Sequence, residues 1–351
     1  MKKIKVCFYP SIKKETNHFL ANLAQVLTES GEFECSGFMD HVRAHDGLVY
    51  KQEIYHFNWF DQAFSLSSFL YRFFILLRLI LTGKKLVWTV HNVTSHEKSP
   101  VYNAILRSIL LRFSSRIHVM NEASFDFPFL KKFKDKVTLV PHGDYFGSYP
   151  ESNLDLRGKF GIAPDSPIVL FVGAIRPYKN VEVLLSAFAD VQKEVASNAS
   201  LLICGKTNPP EYLQKLQSEI AKMKNVFFSP TFVPDEDMEA YLRNAAFLVA
   251  PYSYRSALNS GTVLLACSYG KTVVCPDIAG VRDIQKQAQC LYMYHYDDES
   301  VHVEVLKETL KKALLDYSSR EISRKEEAAV AYMKENSWRK NVSKWRSLYM
   351  N

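Results

Sequence analysis

The sequence predicts an α/β protein of two doubly wound domains, each a parallel sheet covered by helices on both faces, the two sheets opposed across a cleft. Three observations lead there. Short apolar, β-rich runs alternate with stretches of helical periodicity along nearly the whole chain. The 351 residues exceed one ordinary core and suit two. A stretch rich in Pro, Gly, Ser, Asn and charge runs from Tyr149 to Ser166 and is the best candidate linker. The expected domains are therefore 1–150 and 151–325, with a C-terminal helix, 326–351, packing back towards the first.

Composition narrows the function classes. Hydrophobic residues at 47% and charged residues at 23% are globular values. Of the net charge of +7, residues 1–150 supply 19 Lys/Arg against 13 Asp/Glu, and the remainder is nearly balanced at 25 against 24. A basic half suits phosphate or an anionic membrane surface, or is simply solvated. No basic, aromatic stripe of the kind that reads nucleic acid is present. Six scattered cysteines without a C-x-x-C pair fit reduced thiols. The start MKKIKVCFYP runs directly into a strand pattern rather than a secretory leader, so a cytoplasmic protein is expected.

The first half opens with a strand over Lys3–Tyr9 and a helix on Phe19, Leu20, Leu23, Val26 and Leu27. The turn between them, PSIKKETNH, lacks G-x-G-x-x-G, which argues against a nicotinamide dehydrogenase. Next, EIYHFNWFDQ reads as a strand and a polar, aromatic turn, in which His56, Asn58, Trp59 and Asp61 either pack or line a site. Phe69–Leu81 is too short to span a bilayer and reads as a buried helix or as a surface dipping into a membrane interface. The strand Leu86–Val90 then runs into His91, Asn92, His96 and Glu97, a density of titratable and amide groups suited to acid–base work or to binding sugar hydroxyls. His142 and Gly143 follow another strand directly.

The second half is organised around IVLFVGAIRPYKNVEVLLSAF. Ile168–Val172 is a strand, Gly173 a sharp turn, and Val181, Leu184, Leu185 and Phe188 a helix face. Arg176 and Lys179 lie between, where a helix start leaves N–H groups free for an anion. An ordinary βα connection with two solvated cations is the competing reading. Further βα units follow: SLLICGK ending on Gly205 and Lys206, a strand at Val226–Ser229, AFLVAPY, a helix from Gly261 to Ser268, and TVVCP. Trp338 and Trp345, seven apart, would share one face of a terminal helix.

WTVHNVTSHE, VPHG, GAIRPYKNVEVLLSAF, LLICGK and APYSYRSALNSGTVLLACSYGKTVVCPDIAG, in that order along the chain, resemble the segments of GT-B glycosyltransferases, in particular the large retaining group (family four) that builds bacterial polysaccharides and lipid-linked glycans. The resemblance implies two Rossmann-like domains and a nucleotide-sugar co-substrate, a UDP- or GDP-sugar. It implies donor contacts at Gly173, Arg176, Lys179, Gly205, Lys206, Phe232, Val233, Tyr252, Ser260, Gly261 and Thr262. His91, with Glu97, would act at the reacting sugar, and Asn17, Trp59, Asn92 and His142 would contact sugar or acceptor. The acceptor would be a glycan or a polyprenyl-linked oligosaccharide. Most members carry two glutamates eight positions apart where this chain has Ala257 and Leu265, so it resembles a branch lacking them.

Breaking a sugar–diphosphate bond leaves negative charge on the leaving phosphate. Arg176, Lys179 and the helix start at 261–263 are expected to meet it without a metal. Two other functions share this architecture: a nucleotide-sugar 2-epimerase, disfavoured by the scarcity of carboxylates in 251–265, and a non-catalytic glycosyltransferase-like binding subunit, suggested by the missing glutamates.

Overall fold

A computed structural model describes residues 3–15, 17–91, 100–195, 198–253 and 259–350. It divides into two compact units, Met1–Gly143 with Glu335–Asn351, and Asp144–Lys334.

Unit 1 begins with β1 (Ile4–Tyr9), α1 (His18–Glu29), β2 (Phe33–Gly37), α2 (Phe38–Ala44) and β3 (Ile54–Asn58). It continues through α3 (Leu66–Leu81), β4 (Lys85–Thr89), α4 (Pro100–Phe113), β5 (Arg116–Val119) and β6 (Val137–Leu139). The strands form one sheet in the order β2-β1-β3-β4-β5-β6, every pair parallel. Helix α1 forms where Asn17 accepts from the N–H groups of Phe19 and Leu20, and it buries Leu20, Leu23 and Leu27 at helical spacing.

Unit 2 contains α5 (Leu156–Phe160), β7 (Ile168–Val172), α6 (Val181–Glu194), β8 (Ser200–Cys204), α7 (Pro210–Ile220) and β9 (Val226–Ser229). After these come α8 (Asp235–Asn244), β10 (Ala245–Val249), α9 (Gly261–Ser268), β11 (Val273–Pro276), α10 (Ala279–Ala288), β12 (Tyr292–Tyr294), α11 (His302–Ser318) and α12 (Ile322–Glu335). Its parallel sheet runs β12-β11-β10-β7-β8-β9. Central strands β7, β8 and β10 are buried throughout, as strands covered on both faces must be. The last helix, α13 (Val342–Met350), belongs to unit 1.

Several expectations need correcting. The break falls after Gly143, and the segment read as a linker folds into unit 2, with Leu156 and Ile162 in its core. The terminal stretch is two helices rather than one. Trp338 lies in the turn between them and Trp345 in α13, so they share no helix face, although their rings lie 6.4 Å apart. Gly143 allows this arrangement, since a Cβ there would meet the Trp338 ring at 2.1 Å. Helix α3 is buried on one face only.

A run of hydrogen bonds inside unit 1 ties α13 to the sheet. His118 Nε2 bonds the Val140 carbonyl (2.8 Å), which makes Nε2 the protonated nitrogen and Nδ1 the acceptor. The order then follows: Thr89 Oγ1 donates to His118 Nδ1 (2.9 Å), His56 Nε2 donates to Thr89 Oγ1 (2.6 Å), and Tyr349 donates to His56 Nδ1 (2.7 Å). Both histidines are neutral in this arrangement, and burial holds their pKa values down, that of His118 to about 4.

Candidate functional site

Doubly wound sheets bind ligands beyond the strand C-termini where the strand order reverses. In unit 2 that point lies between β7 and β10, so the residues that follow those strands, 173–180 and 250–253, are adjacent. Gly173 (φ 132°) and Gly205 (φ 151°) end β7 and β8 in backbone conformations that favour glycine. Their contact is close: a Cβ on Gly205 would lie 1.8 Å from the Gly173 carbonyl oxygen. Backbone bonds from Ile175 N to Lys206 O (3.0 Å) and from Asn208 N to Ile175 O (3.1 Å) join the two loops.

Helix α9 approaches the same glycine. Thr262 Oγ1 stands 3.6 Å from where a Gly173 Cβ would be, and it accepts from Tyr252 OH (3.2 Å). Ser260 caps the helix by accepting from Val263 N (3.3 Å), while the N–H groups of Gly261 and Thr262 precede any possible intrahelical acceptor. The Lys179 ammonium rests 3.5 Å from the centroid of the Tyr252 ring. Ser253 N donates to Tyr178 O (3.0 Å), which fixes the loop after β10 against the turn carrying Lys179. Lys179, the Thr262 hydroxyl, a helix N-terminus and the side-chain-free backbone of Gly173 thus converge. Arg176 and Lys206 are exposed on the rim and form no side-chain hydrogen bond or ion pair among the described residues.

In unit 1 the strand order reverses between β1 and β3, where Asn58 and Trp59 stand. Trp59 has φ 53°, and its ring stacks on His91 at 4.0 Å and 19°. Asn58 Nδ2 donates to Tyr9 O (3.3 Å), which turns its Oδ1 towards His91 Nε2 (2.9 Å). His91 therefore carries its proton on Nε2 and a lone pair on Nδ1. Burial first, then the nearby His118 and His142, hold its pKa well below 6.5. His142 donates from Nδ1 to Gly143 O (2.7 Å), packs on Phe19 and Trp338, and has its pKa depressed by burial to about 4.

The structure thus gathers Gly173, Lys179, Gly205, Tyr252, Ser260, Gly261 and Thr262 in unit 2, and Trp59, His91 and His142 in unit 1. Other expected residues stand elsewhere. Val233 packs its side chain into the unit 2 core, whereas the adjacent Phe232 is 69% exposed. Asn17 spends its side-chain oxygen on the α1 cap. Asn92, Glu97 and Ala257 lie outside the described residues; Leu265 is buried in α9. Asp235 and Asp237 have the Asp-x-Asp spacing of a metal motif but occupy the first turn of α8, with Asp237 paired to Lys159 (3.6 Å). Asn58 belongs to the polar and aromatic turn visible in the sequence, but its role of orienting His91, 33 positions away, could not be read there. That Tyr252 serves as the seat of Lys179 could not be read from residues 73 positions apart.

Residues 152–329 match the family described as glycosyl transferases group 1. The chain belongs to that family. Among curated relatives of this chain is the GDP-mannose:glycolipid 4-beta-D-mannosyltransferase of Xanthomonas campestris pv. campestris, 30% identical over 205 residues, 58% of this chain and 53% of that protein. The D-inositol 3-phosphate glycosyltransferase of Nocardia farcinica is 30% identical over 155 residues, 42% of this chain and 34% of that one. The chain's matches span about half the length of such relatives, or less. Among solved structures, Anabaena Alr3699/HepE in complex with UDP and glucose has a TM-score of 0.71 at 14% identity, covering 99% of this chain and all of that one. A UDP-N-acetylglucosamine 2-epimerase of Listeria monocytogenes reaches 0.61 at 15% identity, over 99% of this chain and 95% of that one. These likenesses establish the fold, two Rossmann-like domains of the GT-B class.

Proposed function

We propose that the protein transfers a hexose from a nucleotide diphosphate to a glycan or polyprenyl-linked acceptor in surface polysaccharide synthesis, at the cytoplasmic face of a membrane. The observation that carries this reading is the convergence at the unit 2 switch point of Lys179, Thr262, the α9 N-terminus and the glycine backbone at Gly173. These groups suit a diphosphate, which needs a cation, N–H donors and close backbone approach. Arg176, on the exposed rim, adds a second charge. As the sugar–phosphate bond breaks, the growing charge on the phosphate is stabilised by these fixed groups, without a metal. The relative from Xanthomonas makes GDP-mannose a first donor to test, and the Anabaena complex makes UDP-glucose a second.

His91 suits the reacting sugar on the acceptor side. Its imidazole is neutral, oriented by Asn58 and Trp59, and has its Nδ1 lone pair free of the Asn58 bond. It can accept a proton or a sugar hydroxyl's hydrogen bond. His142 and Trp59 supply the flat surfaces on which sugars pack, and Glu97 is the carboxylate available beside His91 in the chain.

The test is turnover of GDP-mannose and UDP-glucose with a membrane glycolipid extract, in the presence and absence of EDTA. Transfer of labelled sugar that survives EDTA supports the reading. Release of a C2 epimer instead of transfer would replace it with the epimerase alternative, and binding without turnover would leave a non-catalytic subunit.

A further inference from the structure

Helix α3 is apolar on both faces. Ile75, Leu76 and Leu79 face the core, yet Leu66, Leu70, Phe74, Leu77 and Leu81 form a second stripe that faces solvent. Phe74 is 59% exposed and Leu81 75%. The neighbouring α4, joined to α3 by stacking of Phe69 on Tyr102 (4.9 Å), exposes Val101, Ile105 and Phe113 around an apolar groove. Both helices return between parallel strands of one sheet, so they run in the same direction and their C-terminal ends are adjacent. Contiguous apolar surface of this extent on a folded unit marks a binding face.

The charge around it says what binds. Neither α3 nor α4 contains Asp or Glu, and residues 62–121 hold eight Lys/Arg against one acidic residue. The cations gather at the C-terminal ends. Arg78 lies over Tyr50 (3.6 Å), Arg112 lines the α4 groove, and Lys136 reaches the Arg112 carbonyl (2.7 Å). Lys131, Lys132 and Lys134 are exposed in the same short helical segment as Lys136, which also holds the exposed Asp135. Leucine and phenylalanine on one side with arginine and lysine at the rim is the pattern of a surface seated in anionic headgroups. No described helix is long and apolar enough to cross a bilayer.

We propose that the solvent faces of α3 and α4 insert into an anionic lipid surface, so that these two helices form the membrane-docking element of unit 1. The proposal gives the membrane location a defined surface but does not rest on the transfer reaction. A protein that bound vesicles yet turned over no donor would sink the function proposed above and leave this one standing.

The test is flotation of the full chain with vesicles of phosphatidylcholine alone and of phosphatidylcholine with phosphatidylglycerol, for the wild type and for Phe74→Asp/Leu77→Asp. The wild type is expected to float with the anionic vesicles and to keep part of that binding at high salt. The double variant, with unchanged circular dichroism, should bind at least tenfold more weakly. If that variant does not fold, Leu81→Asp at the exposed helix end and Arg112→Glu at the basic margin test the same face, and each should weaken flotation. Absence of flotation by the wild type overturns the proposal. So does binding that salt abolishes and Phe74→Asp/Leu77→Asp leaves unchanged, which would be charge alone. A wild-type dimer by light scattering that the same substitutions dissociate, without vesicle binding, would assign the face to a second copy instead.

Discussion

The two switch-point regions are built from different materials. In unit 2 the candidate site is largely backbone: two glycines in contact, a helix N-terminus and a zipped pair of loops, with Lys179 laid over Tyr252. In unit 1 it is side chains: an imidazole stacked on an indole, held by an asparagine and backed by a buried histidine chain. A backbone site should fail when atoms are added, whereas a side-chain site should fail when a partner is removed or protonated.

The largest expected effect is at Gly205. Gly205→Ala places a Cβ against the Gly173 carbonyl and asks an L-residue to hold φ 151°. A cost of about 3–5 kcal/mol is expected, seen as a large fall in melting temperature together with loss of nucleotide binding. If Gly205→Ala melts like the wild type, the close loop contact is wrong. Next come the cations. Arg176→Ala and Lys179→Ala should each lower kcat/KM by about 10²–10³, while leaving the fold intact, because neither side chain is in the core. The effect of Lys179→Ala should be the larger if the convergence point is the phosphate seat.

In unit 1, Tyr349→Phe removes the donor to His56 Nδ1 in a dry interior and should cost about 1–3 kcal/mol, measured by urea unfolding. Acid should expose the same region. His56, His91, His118 and His142 are held below their usual value of 6.5 chiefly by burial, those of His118 and His142 at about 4. The unfolded chain takes up these protons near pH 6.5 and the folded chain only at lower pH, near 4 for His118 and His142, so the unfolded state binds more of them in between. Their contribution to stability is full above pH 6.5 and is lost progressively as the pH falls towards 4. A melting temperature constant from pH 7 to 4.5 would contradict the neutral chain. The smallest stability effect is Phe232→Ala, within about 0.5 kcal/mol because the ring is exposed; a weaker donor KM at unchanged stability would show that it stacks on the base.

The contrast also explains what the sequence revealed. Alternating apolar runs and helical spacing announced both sheets, because parallel strands covered on two faces must be apolar along their length. The glycines after β7 and β8, and Arg176 and Lys179 between strand and helix, were visible as local punctuation. What stayed hidden depended on distant partners. Nothing near Gly143 says that Trp338 will close over it, and nothing near Tyr349 says that it completes a bond to His56. Helix α3 reads as a buried helix or as a face dipping into a membrane interface because its composition is uniform; a one-dimensional pattern cannot distinguish a core face from an equally apolar face left in solvent. Asn17 was assigned to a sugar, whereas a cap position explains it with two N–H groups.

The central claim is that a diphosphate sits between Lys179 and the α9 N-terminus. Calorimetric titration of the wild type and Lys179→Ala with GDP, UDP and the corresponding nucleosides tests it directly. At least one diphosphate should bind, its nucleoside should not bind measurably, and Lys179→Ala should weaken the diphosphate at least tenfold. Equal affinity of the two proteins for that diphosphate, or nucleoside binding as tight as the diphosphate, would contradict it.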